Sequence, residues 1–231
     1  MNERYYQKYA AAAVIGSLKR QGKAELLGDL TEKALDELDD SDFEKILDTA
    51  KNEEIKIYHF KRSDRMLPRV HKVLGFLKGI YFESLLDVGS GRGVFLLPFL
   101  EEFPFVPVTS VDILEKRISL LSDIRDGGVD TLSVIDADIC TAPVPDKSHD
   151  VVTLLEVLEH IPDVRAAIRS AVRIAREYIV VTVPSKEDDN PEHIHLLTRA
   201  KLTEYFGECG VHRLTFDAVP GHLFMIARLG G

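Results

Sequence analysis

From Ser84 onward the chain carries short apolar runs separated by helical stretches, and this alternation restricts it to few architectures. Leu85–Val88, Val108–Val111, Leu132–Ile135, Val151–Leu155 and Ile179–Val183 each read as a strand buried on both faces. Strands alternating with helices build a parallel sheet through right-handed crossovers. After Pro184 a polar loop leads into a helix over about Thr198–Cys209, and Arg213–Phe216 and Leu223–Ala227 are expected to pair as a closing hairpin. The expected fold is α/β, a doubly wound, seven-stranded, mostly parallel sheet with helices on both faces, preceded by a helical N-terminal region.

The chain divides at this change of pattern into residues 1–79 and 80–231. In the first part Leu26, Leu27, Leu30, Ala34, Leu35 and Leu38 recur at three-and-four spacing, and Ser41-Asp42-Phe43-Glu44 has the form of a capping box. Leu67, Val70, Val73, Leu74 and Leu77, with Pro68 in the first turn, predict a helix over Met66–Lys78. Tyr9–Leu18 (YAAAAVIGSL), flanked by Arg4, Lys8, Lys19 and Arg20, has the outline of a secretory leader but is followed by no clear cleavage segment. An alanine-rich helix is the expected form. No apolar run approaches the roughly 20 residues that span a bilayer. The two cysteines, Cys140 and Cys209, follow no metal spacing. Such sparing use suits a cytoplasmic protein with structural thiols. The net charge of −9 is uneven, because Ala24–Glu54 holds twelve acidic residues against three lysines. The rest of the chain is neutral, so the total neither excludes nor suggests a polyanionic partner.

In SLLDVGSGRGVFLLPFL a buried strand ends at Asp87, glycines follow at 89, 91 and 93, and a helix begins near Val94. Glycines let a backbone turn sharply and approach a ligand closely, leaving amides at a helix start to bind polar ligand atoms. Alone, such a loop is equally a tight strand-to-helix turn. Two more strand ends agree with a ligand site. Asp112 closes the second strand about twenty residues on, where doubly wound folds bind a ribose, and Asp138 ends the region of the third. All three carboxylates are expected near the carboxyl edge of one sheet.

This D-x-G-x-G-x-G pattern resembles the class I S-adenosylmethionine-dependent methyltransferases, with their Rossmann-like sheet. The resemblance runs on through ADICTAPVPDKSHDVVTLLEVLEHIPD, where Asp138 stands twelve residues before Asp150, Pro143 and Asp146 lie between, and Glu156 follows the next strand. It covers roughly Ser84 to Arg228. It implies that Gly89, Ser90, Gly91 and Gly93 cradle the methionine part of the cofactor while Asp87 orders the loop. It assigns Asp112 to the ribose hydroxyls, Ile113 to one face of the adenine, Asp138 to the adenine amino group and the Ile139 amide to the ring. Glu156 falls near the sulfonium methyl, so Glu156 and His160 are the implied catalytic residues. Ser90 and Arg92 depart from the commoner cysteine and small or acidic residues, in a loop that acts through its backbone. The implied activity is methyl transfer to a hydroxyl or amine of a small molecule, with residues 1–79 as lid, acceptor selector or oligomer arm. A catalytically silent, protein-binding relative of these enzymes is the alternative of another class. An NAD-dependent oxidoreductase fits less well, since the dinucleotide glycine spacing is missing.

Glu156, Glu159, His160 and His193 form E-x-x-E-H with a later histidine. On a helical turn Glu156 and His160 would share a face, and two carboxylates with two imidazoles would hold a divalent metal that acidifies a hydroxyl. This set resembles the small-RNA 3′-terminal 2′-O-methyltransferases, with His193 five residues before Thr198-Arg199, and also ubiquinone-type O-methyltransferases. In many metal-independent members the same residues only line the pocket, and His195 is an alternative ligand. RNA as partner draws on Lys61, Arg62, Arg65, Arg69, His71 and Lys72, and on Arg165, Arg169, Arg173 and Arg176 along one helical face. The bland reading of both groups is a solvated surface. Tyr5, Tyr6, Tyr9, Tyr58 and Phe60 line a pocket lid or pack in the core.

Overall fold

A computed structural model describes residues 4–57, 66–187 and 189–230. Lys61, Arg62, Arg65, Tyr58, Phe60 and the Tyr5 side chain lie outside the described residues. Seven strands form one sheet: β1 (Leu85–Val88), β2 (Val108–Asp112), β3 (Leu132–Asp136), β4 (His149–Leu155), β5 (Ala175–Pro184), β6 (Leu214–Val219) and β7 (His222–Arg228). Their order is β3-β2-β1-β4-β5-β7-β6, with β1 to β5 parallel and β7 antiparallel to both β5 and β6. Chain direction across the sheet therefore reverses between β1 and β4, which is where doubly wound sheets open a crevice for ligands.

The helices are α1 (Arg4–Arg20), α2 (Asp40–Asn52), α3 (Pro68–Leu77), α4 (Leu96–Glu102), α5 (Glu115–Asp126), α6 (Val164–Ile174) and α7 (Arg199–Glu208). Helices α1 to α5 share one core with Leu85, Val108 and Val151. On the other face α6 and α7 pack with Leu86, Val111 and Val152. In α6, Val164, Ala167, Ile168, Ala171 and Ile174 are buried at three-and-four spacing, which is why that segment is a helix lying on the sheet. Leu85 and Leu86 serve opposite faces, as the strand period of two requires.

Several expectations are corrected. β3 is not buried on both faces: it is the sheet edge, and Ser133 and Asp136 are exposed. The link from β3 to β4, residues 137–148, contains no helix. Ile139, Ala142 and Val144 from that link fill the space on the α6 face instead. The cap of α2 is Asp39, whose carboxylate accepts from the Asp42 amide while Asp42 answers the Asp39 amide, so Ser41 lies inside the helix. The apolar series from Leu26 to Leu38 forms three short 3-10 turns, and Leu26 is exposed. Arg176 lies on β5, not on α6 with the other arginines. Arg165, Arg173 and Arg176 are held by Glu204, Asp146 and Asp150 at 2.7, 2.7 and 2.8 Å, and Arg169 is 4.0 Å from Asp163. Lys72 pairs with Asp217. Among the described residues no helix is long and apolar enough to cross a membrane.

The alanine-rich segment is the centre of α1 and is buried on every side from Tyr9 to Val14, as an all-apolar helix must be. Tyr9 belongs to this core, and Tyr6 packs against it. α1 lies on α5 at backbone contact distance. A Cβ placed on Gly16 would be 1.8 Å from the Asp123 carbonyl oxygen, and one on Gly127 would be 1.9 Å from that of Ala12. Arg20 clamps Asp123 through two hydrogen bonds of 2.8 and 2.9 Å, fixing the register of the two helices. Because backbone cannot yield as a side-chain tip can, Gly127→Ala is expected to lower stability by roughly 3 kcal/mol or more in urea denaturation. Gly75→Ala, inside α3 with nothing within 4 Å of the new methyl, should raise it by about 0.5–1 kcal/mol.

Candidate active site

The carboxyl end of β1, paired with β4 as far as Val88 and Leu154, runs into a loop that opens on Gly89. Its φ is +64°, and a Cβ there would lie 2.7 Å from Val157 Cγ2. Gly91 and Gly93 are also left-handed, at +57° and +77°. The Gly91 amide donates to Asp112 Oδ2 at 3.1 Å and the Leu114 amide to Asp112 Oδ1 at 3.0 Å. One carboxylate at the end of β2 thus ties the glycine loop to the start of α5.

Two chambers meet at this loop. The larger, about 420 Å³, is lined by Gly89, Asp112, Ile113, Asp138, Ile139 and His160 among others, and it reaches Pro162 and Glu192. Ile113 is 65% exposed into the crevice region, whereas Ile139 is buried. Asp138 Oδ1 accepts from the Cys140 amide at 2.8 Å. The smaller chamber, about 160 Å³, is lined by Arg69 and Val70 of α3, Asp87, Ser90, Arg92 and Phe95. Gly89, Gly91 and Glu156 belong to both. The three strand-end carboxylates are therefore divided, Asp112 and Asp138 facing the larger chamber and Asp87 the smaller.

Asp87 is buried in the middle of the sheet, where register places Ser110 of β2 on one side and Thr153 of β4 on the other. The Thr153 hydroxyl donates to Asp87 Oδ1 at 2.6 Å. The Ser110 hydroxyl donates to Ser90 Oγ at 2.8 Å, and Ser90 reaches the Asp87 main-chain carbonyl at 3.3 Å. Asp87 Oδ2 has no hydrogen-bond partner among the described residues. Burial pushes the Asp87 carboxyl up to about 6, against the Ser90 and Thr153 hydroxyls that favour its charged form. Ser110, Thr153 and Thr182 were not singled out in the sequence. The available signal was a polar residue inside each apolar strand run.

Glu156 follows β4 with φ +58°, a left-handed conformation that costs a side-chain-bearing residue roughly 1–3 kcal/mol. Its amide donates to the Thr182 carbonyl at 2.9 Å. Its carboxylate accepts from the Thr182 hydroxyl at 2.9 Å and lies 2.8 Å from His222 Nε2. The expected helical turn that would align Glu156 with His160 does not form. The left-handed residue breaks the chain path, and only a 3-10 turn over Leu158–His160 follows.

Of the four suggested metal ligands the fold groups three. Ligand atoms of Glu159, His160 and His193 lie within 4.8 Å of one another, with Glu159 fully buried. Glu156 is outside this group, turned toward β5 and β7. His160 Nδ1 faces the Glu192 carbonyl oxygen at 2.9 Å, which fixes the orientation of the ring. His195 is turned to the Pro162 carbonyl at 3.3 Å and does not join the group. A carboxylate and two imidazoles, one oriented by a backbone carbonyl, fit a zinc-like or other first-row divalent ion.

A buried carboxyl whose folded pKa is raised stabilises the fold below its unfolded value and loses that contribution as pH rises through the folded one. For Asp87 this window runs from about 4 to about 6. Asp87→Asn should therefore match the parent near pH 4 in thermal denaturation and exceed it above pH 6, by on the order of 2 kcal/mol.

A family model described as a methyltransferase domain matches residues 24–218. A ubiquinone biosynthesis O-methyltransferase of Neisseria meningitidis is 26% identical over 155 residues, 64% of this chain and 63% of that one. A 27-O-demethylrifamycin SV methyltransferase of Amycolatopsis mediterranei is 32% identical over 122 residues, 48% of this chain and 44% of that one. These matches span less than two thirds of the relatives' own lengths. The crystal structure of a SAM dependent methyltransferase from Archaeoglobus fulgidus superposes with a TM-score of 0.57 at 18% identity, covering 70% of this chain and 91% of that one. With the glycine loop, the reversal of strand order and a family match over most of its length, the chain belongs to the class I S-adenosylmethionine-dependent methyltransferases.

Proposed function

We propose that this protein transfers a methyl group from S-adenosylmethionine to a hydroxyl or amine of a small molecule. The observation that carries this reading is the pair of chambers meeting at Gly89, Gly91 and Glu156. The larger fits an adenosine. Asp112 keeps lone pairs for ribose hydroxyls beyond the two amides it accepts, Ile113 offers an exposed apolar face to the adenine, and the Asp138 carboxylate and Ile139 amide suit the ring edge. The smaller fits an amino-acid end, with the Arg69 guanidinium for a carboxylate and the unpartnered Asp87 Oδ2 for an ammonium. When bound, S-adenosylmethionine supplies a methyl group on a sulfonium with a good leaving group. The chain's own contribution is then positioning, and removal of the acceptor's proton falls to Glu156 or His160. Two matched relatives are named for O-methylation of small molecules, which supports the acceptor class. The carboxylate-matched arginines on α6 and β5 favour a small acceptor over RNA. Cysteine usage supports a cytoplasmic setting. Arg69 and Val70 in the smaller chamber support a role for the end of the 1–79 region in ligand selection.

A second reading rests on the Glu159, His160 and His193 group. A divalent ion held there would acidify an acceptor hydroxyl, on a small molecule or on an RNA 3′ end. Calorimetry with magnesium, manganese, cobalt and zinc should then show binding that His193→Ala abolishes. Absence of binding by all four ions, with turnover indifferent to chelator, removes this reading.

S-adenosylhomocysteine is expected to bind in the micromolar range by calorimetry and to be lost on Asp112→Ala. Its affinity should rise between pH 5 and 7 as Asp87 gains its charge. No binding at millimolar ligand would sink the cofactor reading and leave a silent, partner-binding module in its place.

A further inference from the structure

Glu156 lines both chambers, and its carboxylate is held from the far side of β4. Thr182, which holds one oxygen, is on β5, opposite Leu155 in the register. His222, which holds the other, opens β7 opposite Pro184. Both strands lie on the side of β4 away from β1 and its glycine loop. His222 is itself fixed between two acceptors, its Nδ1 3.0 Å from the Pro220 carbonyl oxygen and its Nε2 2.8 Å from the Glu156 carboxylate. His222 lies in the closing hairpin, outside every motif of the glycine-loop half. We infer that His222 is a positioning residue which, with Thr182, holds the Glu156 carboxylate over the β5–β7 half of the sheet edge, where it meets the methyl acceptor rather than the sulfonium.

The geometry has a reason in charge. A carboxylate free to swing to the donor side would pair with the sulfonium, whose charge fades as the methyl leaves, so the contact would stabilise the ground state more than the transition state and slow the chemical step. The left-handed backbone at Glu156 points the same way, as strain of that kind persists only where surrounding contacts over-determine it. The inference rests on the cofactor reading given above, and its test separates the two.

The measurement compares affinities for S-adenosylmethionine, which carries the sulfonium charge, and S-adenosylhomocysteine, which is neutral at sulfur. His222→Phe releases the carboxylate and should shift the ratio toward S-adenosylmethionine by about fivefold or more. Thr182→Val, nearly isosteric, should shift it in the same direction and stands in if His222→Phe does not fold. His222→Gln, which keeps an N–H donor, should restore the parent ratio. In a Glu156→Gln background the His222→Phe effect should vanish. An unchanged ratio in both releasing variants, or an equal loss of both ligands, overturns the inference while the cofactor reading stands. Failure of the parent protein to bind either ligand overturns both.

Discussion

The central constraint on this molecule is the alignment of β2, β1 and β4 around a buried aspartate. Parallel register sets Ser110, Asp87 and Thr153 side by side across three strands, among buried apolar neighbours such as Leu86, Val88, Val111, Val152 and Leu154. A slip of one residue would turn Asp87 into one of the two hydrophobic layers with no hydroxyl beside it. The same register sets where the glycine loop leaves β1 and where Glu156 leaves β4. Both chambers and the strained residue between them inherit their positions from that row. The cost is a carboxyl held above its ordinary pKa by burial.

Two layers of helices keep that row in place by different means. On one face α6 and α7 pack in the ordinary way, apolar stripe on apolar sheet. On the other, α1 is sunk against α5 so deeply that main chain meets main chain at Gly16 and Gly127. The start of the 1–79 region is thus continuous with the core beneath β1 and β2, while its far end, α3, contributes Arg69 and Val70 to a chamber wall.

Most of the sheet was legible in the sequence because strands buried on both faces announce themselves as unbroken apolar runs. Strands β1 to β5 fall where those runs predict and β6 and β7 where the hairpin is expected, with ends shifted by up to four residues. Asp112 and the glycine loop were legible because the strand-turn-helix pattern fixes where they stand at the sheet edge. What the pattern missed depends on tertiary neighbours. Ser110, Thr153 and Thr182 look like ordinary polar interruptions until register sets them beside a carboxylate. Glu156 reads as the first residue of a helical turn, since nothing local signals a left-handed glutamate held by a β-hairpin more than sixty residues later in the chain. The helix-free link before β4 was hidden for a similar reason: its apolar residues replace a helix by filling the same volume.

The contact between α1 and α5 bears on how such a protein can change over time. The polar loop after β5, with Pro191 and Glu192 exposed and Glu192 on the larger chamber, is a surface connection of the kind that tolerates new lengths and residues, so it has room to drift. Positions 16 and 127 have none, because even one added methyl group on either helix must force two backbones apart. Variation there has to be concerted, with helix spacing, the Arg20–Asp123 clamp and the adjoining sheet layer shifting together. A lineage that altered its substrate many times would carry this seam unchanged beneath the altered surface.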